Sequence, residues 1–310
     1  MTMALPTSPG KGRGRPLKKL HWLVEPYLYL SPAIILIALV MLVPLVVGIS
    51  YAFQSISLLN PFETGWVGFA NFEKLWADRL FWKALTNTFW WTLGSLFFQF
   101  FLGLGLALLL NRPFAGRGLV QALVFLPWAV PAFLSGLNWA WLFNPIIGPI
   151  PHWLAAIGIM DEPQNILANP KMALWGPIVA NIWFGIPFFA ITLLAALQSI
   201  PRDLYEAASI DGASVWQSFT KITVPFLAPT IAITVMLRTI WIANFADLIY
   251  IMTGGGPANS THIISSYIFT TAFRRLDFAY ASTLAIALLV LLLAYAMLIL
   301  QMRKHLVKGI

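Results

Sequence analysis

The sequence predicts an all-α, polytopic membrane protein with six transmembrane helices. Two observations predict it. Of the 310 residues, 59% are hydrophobic and only 10% are charged, against roughly 45–50% and about 25% in soluble domains. The charges are also clustered, leaving uncharged tracts at 26–62, 84–111, 118–160, 172–201, 248–273 and 278–302. Each tract can supply the roughly 20 apolar residues that a spanning helix needs. A closed β-barrel would show short alternating segments rather than the continuous apolar runs at 97–110 and 284–300.

Taken in order, residues 1–26 are expected to form a basic tail, rich in Gly, Pro, Lys and Arg up to Pro16 and too poor in apolar residues there to fold. The first apolar run starts near Leu28, is long and lacks a small-residue cleavage site, so it is expected to be a retained span rather than a signal peptide. Splitting the tracts at Pro/Gly clusters and charges puts helices at 28–53, 85–110, 119–143, 172–198, 230–252 and 279–302, within one domain over 27–310. Trp22, Tyr27, Trp82, Trp153 and Tyr280 fall at helix edges and suit interfacial anchoring.

An even number of spans puts both termini on one side, and basic residues choose the side. Lys11, Arg13, Arg15, Lys18 and Lys19, then Arg112, Arg117, Arg202, Lys221, Arg303, Lys304 and Lys308, place 12 of 19 basic residues with the termini, against 6 opposite and Arg238 inside helix 5. Both termini are therefore expected in the cytoplasm. The net charge of +8 falls on that side, where orientation requires it, so it is not read as a nucleic-acid footprint. The chain has no cysteine, which excludes disulfides. His21, His152, His262 and His305 sit in tails or loops, are expected to be solvated, and form no metal-ligand spacing.

The stretch between helices 4 and 5, at about 201–221, is not an ordinary connector. Pro201 suits a first helical turn, Leu204 and Ala208 share a face, Gly212 can turn the chain, and Val215 and Phe219 lie at i and i+4 of a second short helix before Pro225 enters the membrane. A folded, partly apolar loop on that face has the form of a docking element for a soluble partner. On these residues alone, a connector resting on the headgroups remains the alternative.

Glu206, Ala207 and Ala208, then Asp211 and Gly212, then Ile222 to Pro225 together resemble the EAA loop of ABC importer permeases, the coupling helix that seats on a cytosolic ATPase. The segments at 125–131, 181–187 and 253–257 extend the resemblance to the carbohydrate importers, specifically the larger maltose permease subunit type. The chain departs from that subunit in lacking extra amino-terminal helices and a large periplasmic domain between its early spans. The resemblance implies a type I ABC importer permease core in a bacterial inner membrane, and a sugar or sugar-like solute. It implies as partners a second related permease, two ATPase subunits holding ATP and Mg, and an extracytoplasmic solute-binding protein.

For the solute path, Asn181 and Gly185 share one face of helix 4. An amide in lipid would be unsatisfied, so Asn181 is expected inside the bundle, against a sugar hydroxyl or another helix. In helix 5, Arg238, Trp241, Asn244 and Asp247 recur every three residues, with Arg238 and Asp247 on opposite faces about 13 Å apart along a straight helix. Each intramembrane charge costs roughly 2.5–3.5 kcal/mol on insertion scales and is expected to face a cavity, a pore end or a partner helix. By resemblance, Asn181, Gly185 and Asn244 match sugar-site positions, Trp128 matches an aromatic, and Ala132 replaces a hydroxyl residue, which argues against assuming maltose. Interior packing is the plainer alternative for Asn181, Gly185, Trp128 and Trp241, and inter-subunit or structural pairing for Arg238 and Asp247.

No Gly-x-x-x-x-Gly-Lys-Ser/Thr phosphate loop occurs, so ATP is expected on another chain and no cofactor on this one. A secondary transporter should show paired halves and several intramembrane carboxylates, whereas only Asp247 is available. A membrane enzyme would need an acid, base and nucleophile set that the chain does not offer.

Overall fold

The structure is a computed structural model that describes residues 16–56, 62 and 64–307, with side chains over 25–302 of these. The expected loose start of the basic tail, residues 1–15, lies outside the described residues. The helical part begins earlier than the sequence suggests, because α1 (Pro16–Ile37) takes in the end of that tail. A π-helical turn, Ala38–Leu42, joins it to α2 (Val43–Tyr51). Pro44 explains the turn: it brings no N–H, and its ring would meet the carbonyl four residues back. The described residues up to Ser50 form a compact unit of their own. Its span, Glu25–Tyr51, is 27 residues long with mean hydropathy 2.9, and none of its most apolar window is buried in the chain.

The second unit, the described residues from Tyr51 on, opens with a two-residue antiparallel ribbon, β1 (Gln54–Ser55) on β2 (Gly65–Trp66). A short helix α3 (Ala70–Ala77) follows, and then α4 (Arg79–Leu110). The side chain of Asp78 caps α4, accepting from the Leu80 N–H at 2.8 Å. Helix α4 buries one continuous stripe: Phe81, Ala84, Thr88, Trp91, Ser95, Gln99, Gly103, Ala107 and Leu110. That spacing of three and four residues keeps one face inward over the whole length. The face lies on α8 (Trp175–Gln198), the most deeply buried span. At Gly103 a side chain would run into Phe189 and the Ala190 backbone, so glycine lets the two backbones approach closely.

The third predicted span is not one helix. It is α5 (Arg117–Ala129) and α6 (Ala132–Leu142), bent by 96°. Pro131 causes the break, since the residue before a proline is driven out of the α region, and Val130 is extended at φ −92°, ψ 124°. Helix α7 (Pro149–Ala156) and a 3₁₀ turn, Ile166–Ala168, lead to α8.

The fifth span also differs from the prediction at 230–252. After α9 (Arg202–Ile210), α10 (Val215–Ser218) passes through a π turn, Phe219–Thr223, straight into α11 (Val224–Asn244). Pro225 again follows the π turn, as Pro44 does. The helix then breaks at Phe245 and Ala246 before α12 (Asp247–Met252). Neither proline nor glycine marks this break; the Phe245 ring stacks on Phe184 at 5.4 Å. A buried helix absent from the prediction, α13 (Ile264–Phe273), precedes α14 (Phe278–Val307). It is apolar but too short to span a bilayer.

Candidate functional site

In the middle of the second unit, three helices meet through polar groups. Gln99 of α4 donates from Nε2 to the Asn181 carbonyl of α8 at 2.7 Å. Its Oε1 accepts from Nε of Arg238, on α11, also at 2.7 Å. A side chain at Gly185 would collide with the Gln99 amide and the Arg238 guanidinium, so glycine is what admits both groups between the helices. Arg238 is 5% exposed and Asn181 fully buried. Nη2 of Arg238 and both side-chain polar atoms of Asn181 have no hydrogen-bond partner. Buried polar atoms are nearly always paired, and each exception calls for a reason.

Above this cluster lies a cavity of about 290 Å³, lined by Phe184, Arg238, Trp241, Ile242, Asn244 and Phe245. Trp241 is half exposed and packs on Phe188, 5.3 Å between rings. Trp128 donates from Nε1 to the Phe184 carbonyl at 3.0 Å and is 43% exposed. Asn244 is exposed, and its Nδ2 donates to the Ile240 carbonyl at 2.9 Å, orienting the amide. Aromatic faces beside an amide and a cation suit a ring with an apolar face and a polar rim.

Of the residues the sequence nominates, the structure brings Trp241 and Asn244 to the cavity wall with Arg238, and Trp128 beside it through Phe184. Asn181 and Gly185 lie at the buried helix interface and do not line the cavity. Asp247 stands apart, exposed at the start of α12, and does not pair with Arg238. Sequence reasoning missed Gln99, the group that joins the three helices. Its signal was an amide in an otherwise apolar tract of α4.

At one end of the bundle, α9 and α10 form the predicted helix, bend and helix. Gly212 makes the bend at φ +75°, where a residue with a Cβ is strained. Ser214 caps α10 with a reciprocal capping box to Gln217, at 3.2 and 2.7 Å. Tyr205 Oη meets Thr223 Oγ1 at 2.9 Å and braces α9 against the base of α11. Glu206, Ala207, Asp211 and Gly212 are exposed and Ala208 is half-buried. Ile210, Val215 and Trp216 are 86%, 82% and 71% exposed. The element is thus braced yet presents large apolar side chains outward, as a docking surface does. One detail departs from the expectation: the second helix is not separate, because the π turn makes it the end of α11.

The loop after α12 is also folded. Gly254 and Gly255 take φ +60° and +89°, and the His262 ring packs where a Gly255 side chain would be. Asn87 donates to the carbonyls of Ser260 and His262, both at 2.9 Å, and Lys83 to that of Ala258 at 3.1 Å. His262 is therefore buried, 3% exposed, which corrects the expectation that it is solvated. The fold closes the loop over it, which position in a loop does not reveal. Burial lowers its pKa to about 4, aided by the nearby charges of Arg275, Arg274 and Lys83. Close by, Asp78 accepts from the Tyr267 and Tyr280 hydroxyls at 2.8 and 2.6 Å. Burial pushes the Asp78 carboxyl up, but those bonds and the Leu80 and Phe81 N–H groups outweigh it and hold it below its ordinary value.

Residues 99–307 match the family described as binding-protein-dependent transport system inner membrane component. The chain belongs to that family. It is a multi-pass inner-membrane protein. The chain is 36% identical over 264 residues to the sulfoquinovosyl glycerol transport system permease protein SmoG of Agrobacterium fabrum, covering 85% of each chain. It is 36% identical over 242 residues to the trehalose/maltose transport system permease protein MalF of Thermococcus litoralis, covering 78% of this chain and 81% of that one. Among solved structures, it resembles a chain of a bacterial ABC transporter involved in import of the acidic polysaccharide alginate. That match has TM-score 0.78 and 29% identity, over 93% of this chain and 96% of the other.

The part that matches the inner membrane component family starts at Gln99 and ends at 307. It therefore contains Gln99, Arg238, the whole cavity wall and the helix-bend-helix element. The separate unit of α1 and α2, with α3 and the first part of α4, lies outside it.

Proposed function

We propose that this chain is a permease subunit of an ATP-driven ABC importer that moves a sugar or sugar-like solute across the bacterial inner membrane. The observation that carries the reading is the cavity inside the bundle of a family member, walled by Trp241, Phe184, Phe245 and Asn244. Its named relatives transport sulfoquinovosyl glycerol or trehalose and maltose, and an alginate importer has the same fold.

The exposed α9–α10 element is the seat for a cytosolic ATPase, with Glu206, Asp211 and Gly212 at its centre. ATP and Mg then belong to two partner ATPase subunits, and this chain performs no catalysis. The cavity side of α11 remains open at Trp241 and Asn244, which supports a second, related permease completing the path. An extracytoplasmic binding protein delivers the solute, and both termini face the cytoplasm.

The test is reconstitution of the whole complex in proteoliposomes with its binding protein. ATP-dependent uptake of a labelled carbohydrate that stops when the binding protein is omitted is the expected result. Uptake without ATP, driven by an ion gradient, would refute it.

A further inference from the structure

We propose that Arg238 selects an anionic solute: a sugar derivative carrying a carboxylate or sulfonate, whose charged group the guanidinium binds while the aromatic wall takes the ring. The inference rests on the reading of the chain as a carbohydrate permease, which leaves the solute's charge open.

The argument starts from a missing counter-charge. Among the described residues no carboxylate pairs with Arg238, and Asp247, the single acid within the six predicted spans, is exposed on the far side of the helix break. An arginine within a membrane span normally pairs or faces a water-filled cavity. Arg238 is 5% exposed and lines the cavity, with its Nη2 buried against Gly185.

Its surroundings orient the cation without neutralising it. Gln99 is an uncharged acceptor that engages Nε at 2.7 Å and so leaves the cation without a counter-charge. Gly185 holds the place open, since any side chain there would displace the guanidinium. The Phe188 ring lies 5.9 Å from the Arg238 Cζ, an apolar neighbour that strengthens attraction for an anion by excluding water. A guanidinium at a cavity wall without a counter-ion suits a carboxylate or sulfonate. A neutral sugar could use the same donors only as ordinary hydrogen bonds and would leave the buried charge unmatched.

The experiment uses the complete transporter in proteoliposomes. Uptake of three probes is compared: a glucuronate-terminated disaccharide, a 6-sulfonated hexose glycoside, and a neutral glucose disaccharide. Rates are normalised to assembled complex. Wild type is expected to import at least one acidic probe in preference to the neutral one. Arg238→Gln should lose acidic uptake by about tenfold or more, the scale of a lost charge-assisted hydrogen bond, while Arg238→Lys should retain part of it. Gln99→Glu places a carboxylate beside the guanidinium and should abolish acidic uptake, so it decides the matter if Arg238→Gln does not assemble. Import of the neutral probe alone, or acidic uptake that survives in Gln99→Glu, overturns the anion assignment and leaves the carbohydrate reading standing. Import of none of the three sinks both.

Discussion

Gln99 and Arg238, on helices 139 residues apart in sequence, are joined by a 2.7 Å hydrogen bond in the buried centre of the bundle. The other end of the Gln99 amide holds the Asn181 carbonyl at 2.7 Å. One side chain therefore sets the relative position of α4, α8 and α11, and with it the floor of the cavity. The amide adds no second charge to desolvate, but it leaves the buried Arg238 cation without a counter-charge.

Gly185→Val should break this arrangement. The added side chain meets Gln99 and Arg238, and overpacking of this kind costs typically about 1–3 kcal/mol. The expected outcome is a lower thermal midpoint of the purified complex and loss of uptake. Wild-type stability and transport would mean that the helices part there without cost.

Asn244→Leu removes an amide from the cavity wall, whereas Asn181→Leu alters one at the helix interface. The first should impair uptake with little effect on recovery of the complex. The second should leave stability equal or higher, because it removes two unsatisfied buried atoms. Equal uptake by wild type and Asn244→Leu would take that residue out of the solute path.

Gly212→Val forces a β-branched residue to φ +75°, a strongly disfavoured region. The bend should open and redirect α9, while the spans and cavity survive. A membrane-inserted chain that loses its ATPase, or whose ATP hydrolysis no longer drives uptake, is expected. Normal coupled transport in both Gly212→Val and Glu206→Lys would reduce the element to a connector.

Orientation can be read by labelling, since the chain has no cysteine of its own. Single cysteines at Ser8, Gly116, Ala258 and Gly309 are treated in intact cells with an impermeant reagent. Only Ala258 should react. Modification at Gly116 would reverse the proposed topology.

His262 makes the stability of the loop over it depend on pH. Its pKa is about 4 in the fold and about 6.5 in an unfolded chain, so the unfolded state binds the extra proton first. The contribution is complete above about pH 6.5 and is lost progressively as pH falls toward 4. Amide protection at residues 254–263, corrected for the intrinsic exchange rate at each pH, should fall as pH drops from about 7 to 5, and His262→Gln should flatten that dependence. An unchanged profile in the variant would assign the effect to another group.

Much of the fold was legible in the sequence because a bilayer imposes a length and a polarity on each span. Clustered charges, with Pro/Gly clusters, placed most of the spans. Gly212 was legible for a local reason, since a glycine after an amphipathic turn can supply a positive φ. The helix-bend-helix element follows from that residue, Pro201 and the apolar spacing between them. What only the tertiary structure decided were contacts between residues distant in the chain. The break at Phe245, where its ring stacks on Phe184, has no local sequence signal, and the burial of His262 comes from a loop tied to α4 by Asn87 and Lys83. Whether Asn181 or Asn244 meets the cavity, and what holds Arg238, depended on which helix faces turn toward one another. Periodicity gives each helix its faces, but side-chain packing between helices chooses the partner of each face.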